Sequence, residues 1–246
     1  MKDCEITYDV NEVRRQITEN NKEISKLLYA NEELLRNIGF KPPARNMALD
    51  DDNKIQLPSD YIRTKEYFIK KYRLREFFDD PVVLSNVAYS LQMSDMYNYL
   101  VNRFNVYGSV GTMVYKAATI NCVCVIESLM GQVLDDVHAY CKECKSHNGC
   151  KYFIKKKQQF SNKLDAIQEH DMLRLMPEEY QVLRNAYRLR NHMHIYSAAK
   201  ENEHTSKAFD KELYNDTIEL MKKVTVSLYN NVLPGTKGCY KEFIEK

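Results

Sequence analysis

Glycine and proline are scarce in this chain, 7 and 6 among 246 residues, so long periodic segments run without the residues that break helices. Helix is therefore the default expectation. Long apolar runs are missing as well: no stretch approaches the roughly 18 consecutive apolar residues of a membrane span. The opening Met1-Lys2-Asp3-Cys4 lacks the apolar core of a signal peptide. The expectation is a cytoplasmic protein with no membrane partner. Neither charge sign is in surplus, since 36 basic face 34 acidic residues for a net +2. That excludes a globally cationic nucleic-acid coat and leaves only local basic patches. No P-loop, Gly-rich dinucleotide motif, Ser-His-Asp order or His-Glu-x-x-His occurs, so the enzyme classes that depend on them have no support. Internal repeats and low-complexity tracts are also absent. The odd count of 7 cysteines, with Cys122 and Cys124 inside an apolar helical segment, reads as reduced thiols or metal ligands and not as a disulfide framework.

What is present is helical periodicity. Val10, Val13, Ile17, Asn20, Ile24, Leu27, Asn31, Leu34 and Ile38 alternate by three and four, a heptad seam of about four repeats. Asn20 and Asn31 in that seam cost stability but fix register and partner number. Two readings stay open: an amphipathic helix packed on its own domain, and an intermolecular coiled coil. Gly39 and Pro42-Pro43 end the segment, and 44–59, with Asp50-Asp51-Asp52 and Pro58, reads as a linker. Ser59 and Asp60 are positioned to cap a helix through about Phe78, which carries Arg63, Lys65, Lys70, Lys71, Arg73 and Arg75 among tyrosines and phenylalanines. Such interleaving suits snorkelling side chains on an ordinary amphipathic helix, or phosphate contact and base stacking on single-stranded RNA.

Pro81 opens a helix to about Asn105, and Gly108 and Gly111 mark a turn. A long apolar helix follows from about Thr112 to Tyr140. After a Cys/Lys-rich connection come a basic helix over 151–168, a helix from Pro177 to about Ser197, and a last one over about 207–232, stopped by Pro234-Gly235. The predicted fold is all-α, an antiparallel bundle of four or five helices over 81–246 with an N-terminal helical extension over 1–80.

The segment Leu183-Arg184-Asn185-Ala186-Tyr187-Arg188-Leu189-Arg190-Asn191-His192-Met193-His194-Ile195 resembles the signature helix of HEPN domains, in which an arginine and a polar residue precede a histidine. Supporting features follow in the same order. A long preceding helix carries Glu127 in the stripe Ile120, Cys124, Glu127, Gly131, Leu134; then come Phe160-Ser161-Asn162-Lys163-Leu164 and a closing amphipathic helix. The likeness covers roughly 82–232 and leaves the first 80 residues unexplained. Three residues separate Arg190 from His194, fewer than the family pattern has. Arg188 lies further from His194, but Leu189 follows it where the pattern wants a polar residue. Taking Val182, Ala186, Leu189 and Met193 as the apolar face, Arg190 and His194 fall on its flank, while Arg188 and His192 point away. Their i,i+4 relation puts Arg190 and His194 on one side of the helix. Glu127 in its stripe needs a cation, and Arg190 is the natural partner, as a site pair or as a purely structural one.

The resemblance implies a metal-independent endoribonuclease of the toxin or phage-defence type, in which two copies meet as a homodimer and the RNA 2′-hydroxyl attacks its own 3′-phosphate. In that chemistry His194 exchanges the proton, Arg190 steadies the phosphorane oxygens, and Asn191 orients the phosphate or the partner histidine. No catalytic cofactor is implied. An antitoxin or another subunit of a defence complex is an implied partner. Lys151, Lys155, Lys156, Lys157 and Lys163, with Lys142 and Lys145, form a basic stretch suited to RNA phosphates or simply to solvent. His138, Cys141, Cys144, His147 and Cys150 recur every third residue. Cys141, Cys144 and Cys150 with His138 suit a structural zinc, and free thiols are the other reading. A different functional class remains open: a non-catalytic HEPN module that binds nucleic acid or scaffolds a larger defence complex, which the short Arg190-to-His194 spacing favours.

Overall fold

A computed structural model describes residues 9–37, 54–57, 59–140, 160–169, 173–191 and 204–231. These residues form helices with no strand among them, so the protein is all-α. The chain divides into two compact units, Met1–Leu57 and Pro58–Lys246.

The first unit contains α1, Val10–Asn37, a 28-residue helix. Asp9 caps it, accepting the Asn11 N–H at 2.9 Å. Outside the seam the surface is charged: Arg15 bridges Glu12 at 2.7 Å and Glu19 at 2.8 Å, and Lys26 meets Glu23 at 3.2 Å. None of its residues is buried. Ile38 lies outside the described residues.

In the second unit, the continuous helix expected over 59–78 is broken. A 3-10 turn at Ser59–Tyr61 precedes α2, Lys65–Lys71, and α3, Leu74–Phe77. Thr64, and not Ser59 or Asp60, caps α2 through the Tyr67 N–H at 3.3 Å. The break falls at Arg73, whose φ of 51° is left-handed. Its cause is packing: at about 100° per residue, an unbroken helix would put Phe68 and Phe77 on opposite faces. With the break, Phe68, Ile69, Leu74, Phe77 and Phe78 all enter the core. Since α2 packs on the next helix, Pro81–Arg103, these helices belong with the bundle, and the unit boundary lies at 57/58 where the sequence suggested 80.

Asp80 and Pro81 start α4, Pro81–Arg103, with the Asp80 carboxylate accepting the Val82 N–H at 2.8 Å. The chain turns within 104–107 and re-enters helix at Gly108, whose φ of 58° favours glycine. A Cβ on Gly111 would sit 3.1 Å from the Val106 carbonyl oxygen, a tight contact that favours glycine at this close return of the chain. Helix α5, Gly108–Tyr140, thus begins earlier than expected, and so short a link makes it antiparallel to α4. By length and composition Gly108–Asp135 is long and apolar enough to cross a membrane, although no unbroken apolar run marked it in the sequence. More than half of its most apolar window is buried inside the bundle.

The remaining helices are α6, Phe160–Glu169; α7, Pro177–Asn191; the short α8, Thr205–Ala208; and α9, Lys211–Asn231. Helix α5 is the hub, touching α4, α6, α7, α8 and α9. Its Ile126, Met130 and Val133 join Leu91, Leu164, Ile167, Leu183, Ile218 and Val224 in one core. Arg184 ties α7 to α6 through Asp165 at 2.7 Å and Gln168 at 2.8 Å. Lys223 ties α9 to Glu179 at 2.6 Å, and Glu179 also accepts the Met176 N–H at 2.7 Å. Burial works against the Glu179 charge, yet these donors hold its carboxyl below the usual range.

The α4–α5 contact carries a polar layer. Asn121 donates to the Ser90 carbonyl at 2.8 Å and to Ser94 Oγ at 2.7 Å, while Ser94 donates to the Ser90 carbonyl at 3.0 Å. Burial pushes the neighbouring Cys122 thiol up to about 12, so it stays protonated and inert as a nucleophile. Deeper in, the Tyr214 hydroxyl is buried without a hydrogen-bond partner among the described residues, and burial raises it to about 12. Its ring stacks on Tyr115 at 5.7 Å. Tyr214→Phe keeps that stack and removes a polar atom that gains nothing. Urea denaturation is expected to show unchanged or slightly higher stability, by up to about 1 kcal/mol; a clear loss would mean that the hydroxyl has a partner.

Candidate active site

The candidate site lies where α7 crosses α5. Along α7, Tyr180, Leu183, Ala186 and Leu189 are buried, so the apolar face begins one position off the expected Val182 line, with Val182 itself half-buried. Arg190 flanks this face as the helical projection predicts, and Arg188 is exposed. Arg190 Nη2 stands 3.3 Å from Glu127 Oε2, which joins the two residues singled out from the sequence. Its Nη1 donates to Asn191 Oδ1 at 3.3 Å.

The surroundings differ from expectation in one respect. Ile120, Cys124, Glu127 and Gly131 lie along the half-exposed edge of α5, while Cys122, Val125, Ile126 and Leu129 hold its buried side. Glu127 and Arg190 remain 30% and 31% exposed, so the pair keeps contact with water and avoids the cost of a dry ion pair. The guanidinium lies 5.6 Å from the centre of the Tyr187 ring, a cation–π contact. That ring stacks on Phe160 of α6, centroids 3.9 Å apart. Tyr187 and Phe160 thus form an aromatic shelf beneath Arg190. The guanidinium, 31% exposed, can contact an anion from solvent, but the Glu127 carboxylate offsets its charge in this arrangement.

No protein-family model, curated protein or solved structure matches the chain.

Of the other sequence candidates, Lys163 lies half-buried on α6 beside exposed Ser161 and Asn162. His194 and His192 lie outside the described residues, as do Lys151, Lys155, Lys156, Lys157, Cys141, Cys144, His147 and Cys150. His138 falls within α5, with its side chain outside the description. Among the described residues no group of three or more His, Cys, Asp or Glu is placed to hold a metal ion.

Sequence reasoning missed the Tyr187–Phe160 shelf, whose trace was an aromatic three positions before Arg190. It also missed the pairing of Arg63 with Asp95. The Arg63 N–H donates to Asp95 Oδ2 at 2.8 Å, its Nε donates to the same oxygen at 3.0 Å, and its Nη2 meets Oδ1. The guanidinium also lies 5.4 Å from the Phe68 and Tyr67 ring centres. Lys65 faces Tyr89 at 4.7 Å, and Lys71 faces Tyr72 at 5.3 Å. The basic and aromatic residues of this segment therefore largely engage one another and the core. The signal that could have found Asp95 was an acid inside the apolar part of α4, which needs a cation.

Proposed function

We propose that the protein is a HEPN-like, metal-independent endoribonuclease of the toxin or phage-defence type, acting as a homodimer. The observation that supports this reading best is the half-exposed Arg190, braced by Glu127 and Tyr187, next to Asn191 and one helical turn before His194 in sequence. In the reaction, one His194 takes the proton of the RNA 2′-hydroxyl, whose oxygen attacks the adjacent phosphorus. Arg190 N–H groups steady the non-bridging oxygens as the 5′-oxygen leaves, taking a proton from the second copy's histidine. Lys163 and the lysines over 151–157 hold flanking phosphates. An antitoxin or defence-complex subunit would control such an activity.

The second reading, a non-catalytic module that binds nucleic acid or serves as a scaffold, is favoured by the short Arg190-to-His194 spacing and by an Arg190 already satisfied by Glu127. The experiment that separates them incubates single-stranded RNA, and DNA of the same sequence, with purified protein in excess EDTA. Circular dichroism in the same buffer establishes that the fold persists. Cleaved RNA beside intact DNA is expected, because only RNA carries the attacking group; uncut RNA would leave the scaffold reading. The structural-zinc reading of Cys141, Cys144, Cys150 and His138 has a separate test: elemental analysis of protein purified without chelator, with about one zinc per chain expected. No zinc leaves these cysteines as thiols.

A further inference from the structure

The heptad face of α1 has no role in the nuclease reading, and the inference drawn from it does not rest on that reading. In heptad terms Val10, Ile17, Ile24 and Asn31 are a positions, and Val13, Asn20, Leu27 and Leu34 are d positions. Ile17 and Ile24 are both 52% exposed, Leu27 58% and Leu34 64%. A helix of 28 residues, about 42 Å long, whose seam is apolar except at Asn20 and Asn31 and of which no residue is buried, has within its own unit none of the packing from which most helices draw their stability.

We propose that α1 pairs with α1 of a second copy of this chain as a parallel, in-register, two-stranded coiled coil. Three features select that occupant. Branched Val10, Ile17 and Ile24 at a with Leu27 and Leu34 at d is the combination that favours two parallel strands, while Val13 and Asn20 hold the other two d positions. Both seam asparagines then meet their own counterparts, amide against amide. A slip by one heptad would set Asn31 against Ile24 and Asn20 against Val13 or Leu27, leaving amides unpaired in an apolar seam. Charge decides the direction. In the parallel pair Asp9 at g faces Arg14 at e of the second copy, whereas the antiparallel register that also matches Asn20 with Asn31 gives Asp9 no such partner. Leu28 and Leu35, at e, widen the apolar contact toward the C-terminal half.

The test uses the full chain carrying Leu34→Cys, oxidised under mild conditions beside the wild type. In the parallel pair the two new thiols face each other. In the antiparallel arrangement that pairs Asn20 with Asn31, Leu34 faces Ile17 of the other copy, and the two thiols lie about 25 Å apart. A disulfide-linked dimer is expected on a non-reducing denaturing gel, with mass spectrometry identifying a peptide joined to its own copy through position 34. Adding Ile24→Glu puts two carboxylates into the seam and is expected to weaken association by about tenfold or more and to suppress the link. Ile24 is exposed in the single chain, so the bundle's cooperative thermal unfolding should be unchanged, while loss of the α1 pair lowers the total helical signal. Absence of the position-34 link, or its persistence with Ile24→Glu present, would overturn the proposal.

Discussion

His194→Ala is expected to lower RNA cleavage by about two to four orders of magnitude, the range over which a positioned general acid or base acts. Far-ultraviolet circular dichroism should be unchanged. Arg190→Ala is expected to cost a comparable factor, about a hundredfold to a thousandfold, through lost charge stabilisation at the phosphorane. Removing Arg190 also leaves Glu127 without its 3.3 Å partner. Because that carboxylate is already open to water, the accompanying stability loss should stay at or below about 1 kcal/mol. Arg190→Lys keeps the charge but loses the planar fork, so it should rescue stability and little of the activity. His192→Ala is the control, since the helical projection turns it away from Arg190. Loss of cleavage in His192→Ala with retention in His194→Ala would reassign the site to the other register.

Arg63→Ala is expected to be the most destabilising single change outside the apolar core. Asp95 is nearly buried in α4, and without the Arg63 side chain its charge keeps the backbone N–H of residue 63 and the weaker pull of the Lys71 charge. Stranding a buried carboxylate costs about 3–5 kcal/mol when the pair is fully dry. Arg63 is 45% exposed, so about 2 kcal/mol is the expected loss. The effect depends on pH with a defined sign. Burial pushes the Asp95 carboxyl up, but the Arg63 side-chain and backbone hydrogen bonds outweigh it and hold the group below its ordinary value. The stability this contributes is present above the unfolded value of about 3.9 and is lost as pH falls through the lower folded value. In Arg63→Ala burial has less to oppose it. The gap between wild type and variant should therefore be widest at neutral pH, narrow as pH falls through the acid range, and close only below the lowered folded value. Denaturant midpoints at pH 7 and pH 3 check this, and an equal gap at both would contradict it.

Much of the fold was legible because the chain punctuates its helices. Pro81 and Pro177 stand at helix starts where their backbone chemistry places them, whereas α5 starts at Gly108, ahead of the expected Thr112. The break at Arg73 was not legible, since an arginine gives no local sign of a left-handed turn. Its trace is the nine-residue spacing of Phe68 and Phe77, which only the demand of one core reveals. The pairing of Glu127 with Arg190 could be anticipated because each was an ion on a helix otherwise turned toward apolar neighbours. Arg63 and Asp95 escaped for the opposite reason: they lie 32 residues apart, and their meeting depends on the turn at residues 59–64, which the sequence rendered as helix. For α1 the seam was plain, but a seam alone does not say whether its cover lies in the same chain.

The chemistry of the cut ends tests the proposed activity most directly. Single-stranded RNA digested in excess EDTA and analysed by mass spectrometry should give upstream fragments ending in a 2′,3′-cyclic phosphate and downstream fragments beginning with a 5′-hydroxyl, the products of attack by the neighbouring 2′-oxygen. Fragments with 3′-hydroxyl and 5′-phosphate ends, or RNA that stays intact, would contradict it.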